Sequence, residues 1–225
     1  MGIVHVPRTV FAIAKGYFKR RTSPLPDAKK SLVGIGFKQP PYVYTSHAGL
    51  FDVDVMLHMN NASYLTHAEL ARWEWTAFGG TLEANIRSKS YFIVAASMIR
   101  FRREIQPLKR FEIETRLGGI DDRNVWCYQT FHYSSDESYD NKPGSARGKI
   151  LAQVLTQGVI TNKGKVVNPR KWLEEHFPAS KETIDEMSIL PEKSGSIFDS
   201  KAARFKHLEE ILKQSAAIYD ENTTV

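Results

Sequence analysis

One amphipathic helix pattern, with a strand pattern before it and four after it, limits the folds open to this chain more than any other feature. From Asn61 to about Phe78, apolar side chains recur at steps of three and four residues, and Gly79 and Gly80 follow where a helix would end. Residues 42 to 51, rich in Tyr, Val and Thr, predict the strand before it. This order predicts an α+β fold in which a sheet wraps around one central helix.

The four strand patterns after the helix are all long. Phe111 to Gly118 alternates apolar and polar residues with a period of two, so one face of that strand is expected to point inward and the other toward solvent. Turn-forming residues at 119–124 and 162–165 favour hairpin reversals. The prediction is therefore an antiparallel five-stranded sheet, whose last four strands are about Tyr91 to Arg102, Phe111 to Gly118, Val125 to Tyr133 and Lys149 to Thr161.

Composition and punctuation suggest a central domain with an extension at each end. The 225 residues, of which 42% are hydrophobic, suffice for one sizeable core. Ser134 to Arg147 is polar enough for a surface loop, Pro169 can open a short helix through Phe177, and Ser200 to Tyr219 carries a second amphipathic pattern. We expect a basic N-terminal segment and proline-punctuated linker at 1–40, the folded domain at 41–178, and peripheral C-terminal helices at 179–225.

Charge and cysteine content narrow the partners and the compartment. The formal charge of +6 favours anionic partners, but no zinc-finger spacing, ribonucleoprotein motif or basic recognition helix supports nucleic acid. Cys127 is the only cysteine, so no internal disulfide is possible and a reducing compartment fits. No stretch approaches the roughly 20 apolar residues that cross a bilayer. We expect an intracellular protein, cytoplasmic or organellar, that is not secreted.

The N-terminal segment has two interpretations. No acidic residue occurs before Asp27, and between residues 8 and 21 five basic residues alternate with apolar ones. Such a segment can lie on an anionic membrane surface or serve as a mitochondrial transit peptide. A frayed basic tail explains the composition equally well.

A dense polar run leads directly into the central helix. Two carboxylates, an imidazole and two amides precede the first turn of that helix, where backbone N–H groups lack partners and the dipole is positive. Removing so many polar groups from water costs free energy, so their presence together indicates that they have a function. Carboxylate, imidazole and amide N–H groups together suit attack on a polarised carbonyl. The run comprises Asp52, Asp54, His58, Asn60, Asn61 and Tyr64.

With this run, the chain resembles the hotdog-fold thioesterases of the hydroxybenzoyl-CoA thioesterase branch, and within them most the thioesterase superfamily member six group. Further similarity lies in residues 68–72, 95–103 and 116–123, and the resemblance covers about 42–177. It implies the hotdog fold and an acyl thioester substrate, usually acyl-CoA. It also implies a homodimer or dimer of dimers with sites between subunits, and it requires no metal or other cofactor.

Catalytic roles follow from the resemblance by position. Asp54 matches the carboxylate that acts as nucleophile or general base, His58 matches a histidine that assists in some members, and the amides around Asn60 and Asn61 would face the thioester oxygen. Asn60 and Asn61 also suit helix capping and loop orientation. Several hotdog enzymes use a helix carboxylate from the partner subunit as base, which nominates Glu69. A solvated residue, or one paired with Arg72, is the alternative.

Substrate-binding roles are assigned to one aromatic residue and a basic group. Tyr64 either contacts substrate or packs in the core, and Asp121 with Asp122 reads as a turn without a third metal ligand nearby. Guanidinium groups fit the phosphates of CoA, but a solvated strand end explains the same cluster. The basic group comprises Arg100, Arg102 and Arg103.

One position departs from the pattern of bacterial relatives. They carry Gly before the motif histidine, where this chain has Leu57. The leading functional hypothesis is hydrolysis of fatty acyl-CoA, which would place the protein in fatty acid metabolism. Leu57 motivates an alternative, a non-catalytic hotdog protein that binds acyl chains or partners at a membrane surface. A hotdog dehydratase fits the motif order less well.

Overall fold

The computed structural model describes residues 2–36, 38–134, 150–176 and 181–187. A six-stranded antiparallel sheet has the order β1-β3-β4-β5-β2, with the short β6 also paired to β5. The predicted α+β hotdog architecture is confirmed, and β6 is additional to the five expected strands. The strands are β1 Tyr42–His47, β2 Ser90–Phe101, β3 Arg110–Ile120, β4 Asn124–Tyr133, β5 Ile150–Asn162 and β6 Lys165–Val167.

The described residues also form six α-helices. They are α1 Gly2–Thr22, α2 Asp27–Lys30, α3 Asn61–Gly79, α4 Thr81–Ser88, α5 Pro169–His176 and α6 Lys181–Met187. α3 is the central helix, and its buried face includes Ala68, Ala71, Trp75 and Phe78. Gly80, at a φ of 85°, ends α3 and at once precedes α4. The sequence pattern did not reveal α4, because this helix follows the glycine pair with no loop between them.

The core lies between α3 and the middle strands. Phe111 and Phe131 stack with ring centroids 5.8 Å apart, and Tyr64 of α3 lies 5.4 Å from Phe131. Gln129 of β4 donates to the Ala68 carbonyl of α3 at 2.8 Å, so the helix is hydrogen-bonded to the strand it covers. Burial of these aromatic rings stabilises this contact.

The N-terminal segment is a helix packed on α3, not a frayed tail. Gly16 provides the close approach, because a Cβ at this position would lie 2.3 Å from the Glu74 carbonyl oxygen and 2.8 Å from the Ala77 Cβ. Arg20 donates to the Phe78 carbonyl at 2.8 Å, near the end of α3. A boundary at residue 41 would therefore separate α1 from the helix that it contacts.

Two lysines of α1 bond to groups in the body of the protein. Lys15 and Lys19 lie 3.2 and 2.6 Å from the carboxylate of Glu74, which is fully buried. The same two lysines donate to the Thr45 and Val43 carbonyls of β1 at 3.1 and 3.3 Å. α1 therefore neutralises a buried acid, which is unstable without countercharge, and covers the outer edge of the sheet.

Two sequence predictions fall largely on residues that are not described. The polar loop predicted at Ser134 to Arg147 lies outside the described residues except for Ser134, and the amphipathic pattern from Ser200 to Tyr219 lies wholly outside them. No helix among residues 2–36, 38–134, 150–176 and 181–187 combines the length and apolar character needed to span a membrane.

Candidate active site

The polar run forms a tight turn that leads into α3. Val53 bridges Met59, the Asp54 N–H donates to the His58 carbonyl at 3.0 Å, and the Leu57 N–H donates to the Asp54 carbonyl at 3.1 Å. These backbone bonds hold both candidate side chains, Asp54 and His58, on one short turn. The sequence thus places the carboxylate and the imidazole together without help from another element.

Leu57 adopts a backbone conformation that favours glycine, the residue that the resemblance implies for bacterial thioesterases at this position. Its φ is 60°, in the left-handed region that favours glycine. A side chain in this region costs roughly 1–2 kcal/mol. The turn therefore keeps the shape that glycine permits, although leucine occupies the position, and the Leu57 side chain is turned to solvent.

Asp54 and His58 face each other at the surface of the turn. Asp54 Oδ1 accepts the Met56 N–H at 2.9 Å, and Asp54 Oδ2 lies 3.6 Å from His58 Nδ1. The two side chains are 28% and 32% exposed. An external molecule can therefore reach a carboxylate that is oriented by the Met56 N–H. The His58 imidazole lies just beyond hydrogen-bond range of it and bonds instead to the Met59 carbonyl at 3.3 Å.

The start of α3 offers a backbone donor next to this pair. The Asn60 side chain caps the helix by accepting the Ala62 N–H at 2.9 Å, as its capping interpretation predicted, and the Asn60 N–H donates to the Asp52 carbonyl at 2.7 Å. Among the described residues, the N–H of Asn61 has no acceptor. Asn61 therefore presents a hydrogen-bond donor at the positive end of the helix dipole.

A cavity of about 680 Å³ lies between α3, α4 and β2. Tyr91 and Ile86 in its wall are two-thirds exposed, so the cavity opens to the surface beside β2. Half of its fourteen lining side chains are apolar or aromatic and supply most of the wall's surface, as is usual for a cavity that binds a small molecule. The lining residues are Leu65, Thr66, Glu69, Arg72, Trp73, Thr76, Leu82, Asn85, Ile86, Ser90, Tyr91, Phe92, Val94 and Ser97.

Glu69 lies in the cavity wall but is not paired with Arg72. The Glu69 carboxylate accepts the Trp73 indole N–H at 3.3 Å and lies 3.3 Å from the His5 imidazole. Arg72 instead donates to Gln129 at 2.7 Å and to Thr156 at 3.3 Å. The predicted alternative of a Glu69–Arg72 ion pair is wrong, because Arg72 turns under the helix toward the sheet.

Within one chain, the motif and the cavity do not share residues. Asp54, His58, Asn60 and Asn61 are absent from the cavity wall among the described residues. Tyr64 is also absent from it: this side chain is buried, its hydroxyl accepts the Ile105 N–H at 3.2 Å, and burial raises its pKa to about 12. The structure thus places Tyr64 in the core and leaves the motif and the cavity as separate parts.

The predicted basic group is exposed at the end of β2. Arg102 donates to the Gln153 side chain at 3.2 Å and Arg103 to the Ile150 carbonyl at 3.0 Å. Arg100 is exposed on the same strand. These guanidinium groups lie outside the cavity wall, at positions from which they could meet only a part of a ligand that extends beyond the cavity.

A buried charge cluster beneath α1 was missed at the sequence level. Arg8 donates to Asp52 Oδ1 at 3.0 Å, and His67 Nε2 lies 3.1 Å from Asp52 Oδ2. Burial opposes ionisation of Asp52, but His67 and Arg8 outweigh it and hold its pKa at about 2. Burial also lowers the pKa of His67, despite the opposing effect of Asp52. The cluster joins α1 to α3, and it is separate from the motif carboxylate.

A spacing signal for this cluster was present. His67 and Glu74 occur seven residues apart on the apolar side of α3, and Arg8 and Lys15 occur seven residues apart in α1. Matching seven-residue steps place such residues on facing stripes of two packed helices. Elsewhere, no group of three or more His, Cys, Asp or Glu side chains in the described part of the chain is placed to hold a metal ion.

Comparison with known proteins gives consistent matches. The family model described as thioesterase-like superfamily matches residues 49–177, more than half of the chain. Protein THEM6 of Danio rerio is 36% identical over 87 residues, which cover 39% of this chain and 43% of that protein. Protein THEM6 of Drosophila melanogaster is 35% identical over 112 residues, which cover 49% and 52%. The chain thus spans about half the length of these relatives.

A solved structure agrees at the level of the fold. The crystal structure of YbaW, a probable thioesterase from Escherichia coli, superposes with a TM-score of 0.52 at 18% identity, covering 64% of this chain and 98% of that one. The segment matched by the family model, residues 49–177, contains the turn, α3 and strands β2 to β6. The chain therefore belongs to the thioesterase-like superfamily and has its hotdog fold.

Proposed function

We propose that this protein hydrolyses acyl thioesters, with acyl-CoA as the substrate class, at a site completed by a second copy of the chain. The observation that supports this most is the pairing of an exposed, oriented carboxylate with an apolar cavity of acyl size in one fold. Asp54 and His58 provide the base, and the cavity between α3, α4 and β2 provides a place for the acyl group.

In the proposed reaction, Asp54 takes a proton from water as the water oxygen attacks the thioester carbon. The carbonyl oxygen becomes negative and accepts the Asn61 N–H, in the field of the α3 dipole. The C–S bond then breaks, and the thiolate leaves and takes up the proton. His58 Nδ1 lies 3.6 Å from Asp54, just beyond hydrogen-bond range, so in this proposal it would assist the carboxylate only after a shift of its side chain. A direct attack by Asp54 followed by hydrolysis of the anhydride uses the same groups.

A second copy supports the arrangement because each chain keeps its motif and its cavity apart. β2 ends the sheet, and Tyr91, Ile93 and Val94 on it are between 45% and 66% exposed. An exposed apolar edge strand is a ready template for pairing with another strand. A two-fold contact along β2 would continue the sheet and would bring the motif of one copy toward the cavity of the other.

The test is release of free thiol from saturated acyl-CoA substrates of increasing chain length. Asp54→Asn should lower kcat by about a hundredfold or more, because general base catalysis typically contributes that much. Asp122→Asn, in an exposed turn, is the matched control and should keep the wild-type rate. An Asp54→Asn variant with unchanged turnover would exclude Asp54 from the mechanism.

The same assay separates hydrolysis from the alternative function. Leu57 at a glycine-type position motivates a non-catalytic acyl-binding protein. Binding of long-chain acyl-CoA by the wild-type chain, with no turnover at any chain length, would favour that alternative. Turnover that depends on Asp54 would reject it.

A further inference from the structure

We propose that the outward face of α1, together with Leu50 and Phe51, docks on the surface of a lipid bilayer. The polarity of α1 is reversed relative to an ordinary surface helix. Four of its basic residues, Arg8, Lys15, Lys19 and Arg20, bond to the rest of the protein, and large apolar side chains point to solvent. These outward side chains are Val6, Val10, Phe11 and Phe18, each between 60% and 70% exposed.

The outward apolar residues form one stripe. At 100° per residue, positions 6, 10, 11 and 18 fall within an arc of about 140° on the helix, and the exposed Pro7 and Ala14 fall in the same arc. Single exposed apolar residues are common, but a contiguous stripe marks a surface that another apolar phase covers.

The stripe continues onto the 3-10 turn at Leu50–Asp52. Leu50 and Phe51 are 76% and 93% exposed. Phe11 and Phe51 line the same hollow of about 520 Å³ between α1 and β1, so the two apolar regions adjoin. The Arg8–Asp52 ion pair at 3.0 Å connects the helix to this turn. The combined face, called here the α1 face, is therefore held as one surface.

Charge favours an anionic lipid surface as the occupant. The first 26 residues contain no acidic residue, and Arg21 is exposed at the end of the stripe. The side chains of Arg8, Lys15 and Lys19 retain 30 to 34% exposure beside it while bonded to Asp52 and Glu74. Basic groups at the border of an apolar face complement anionic headgroups while the apolar side chains enter the acyl boundary.

A second copy of the chain fits this face less well. A two-fold contact would place the basic border of one α1 face against that of its partner, in a chain whose net charge is already +6. In one interpretation of the sequence, the basic residues bind a membrane. In the structure, basic residues attach α1 to the rest of the protein, and the apolar residues are the ones available to lipid.

The experiment measures flotation of the purified full chain with vesicles of phosphatidylcholine alone and of phosphatidylcholine with phosphatidylserine. Wild type should float with both and more with the anionic vesicles. The double variant Phe11→Ser and Phe18→Ser should bind roughly tenfold or more weakly, because two exposed aromatic side chains are removed without touching the core. Val166→Ser, an exposed change on β6, should bind like wild type.

A direct readout uses labelling at the face. Cys127 is buried, so a polarity-sensitive maleimide should react at the introduced thiol of F18C or of V166C. The F18C probe should shift to the blue on vesicles and the V166C probe should not. Absence of wild-type flotation, equal flotation of the double variant, or equal probe shifts would overturn the proposal. A fall in oligomer mass in the double variant, without vesicle binding by wild type, would assign the face to a second copy instead. None of these readouts requires hydrolase activity.

Discussion

The contact between α1 and α3 predicts the sign of a single methyl substitution. In a helix exposed to solvent, Gly→Ala stabilises by roughly 0.5–1 kcal/mol, because alanine loses less backbone freedom on folding. At Gly16, however, the new Cβ would lie 2.3 Å from the Glu74 carbonyl oxygen and 2.8 Å from the Ala77 Cβ. The backbone of α3 cannot move away without disturbing the helix, and overpacking of this kind costs about 1–3 kcal/mol of stability.

Gly16→Ala should therefore lower the free energy of unfolding by about 1–2 kcal/mol, measured by urea denaturation followed by circular dichroism. Ala14→Gly, at an exposed position of α1, is the control and should cost up to about 1 kcal/mol through helix propensity alone. Stabilisation by Gly16→Ala would show that α1 does not pack on α3. No effect of either substitution would show that α1 contributes nothing to stability.

Two further substitutions test the charge cluster and the cavity. Asp52→Asn should cost about 2 kcal/mol at pH 7, because the pKa of about 2 in the folded protein lies below the ordinary 3.8. This stabilisation is complete above the pKa of Asp52 in the unfolded chain and is lost as the pH falls through its pKa in the folded protein. The difference in free energy of unfolding between wild type and Asp52→Asn, measured by urea denaturation, should therefore fall by about half at pH 3. A difference that does not change with pH would contradict the cluster. Gly158→Ala would place a Cβ 2.2 Å from the Phe92 ring, which lies in the cavity wall. Displacement of this ring should lower the ratio of long-chain to short-chain acyl-CoA hydrolysis, and an unchanged ratio would show that Phe92 does not limit chain length.

Periodicity predicted the parts of the fold whose burial follows apolar patterning. α3 was predicted from Asn61 to about Phe78 and ends at Gly79, and the predicted β4 differs from the observed strand by one residue at its start. These elements bury one apolar face against another, so the sequence period reports directly on the structure. The confirmed resemblance to thioesterases rests on the same turn and helix.

Charge placement was not predictable by the same reasoning. The basic residues of α1 were assigned to solvent or membrane, because isolated charges avoid burial. Their partners Asp52 and Glu74 lie 44 or more residues away in sequence, and only packing of α1 on α3 brings them together. The cavity was equally hidden, since its walls come from α3, α4 and β2 and no local pattern encodes a gap between elements.

The positions of the site residues were predictable where they depend on local sequence and unpredictable where they depend on packing. Local sequence placed Asp54 and His58 in one polar run before α3, and it offered Asn60 as a helix cap. It assigned Tyr64 to substrate, whereas its hydroxyl bonds backbone in the core. A tyrosine on the fourth residue of a helix can face either way, and only the position of the sheet decides.

Subunit complementation tests most directly the claim that the motif of one copy serves the cavity of another. Asp54→Asn removes the base, and Thr76→Trp fills the cavity, so each variant alone should be inactive. After subunit exchange at equal amounts, half of the dimers are mixed and each holds one intact site, so acyl-CoA hydrolysis should recover to about a quarter of the wild-type rate. No recovery, despite exchange verified by mass, would contradict a shared site.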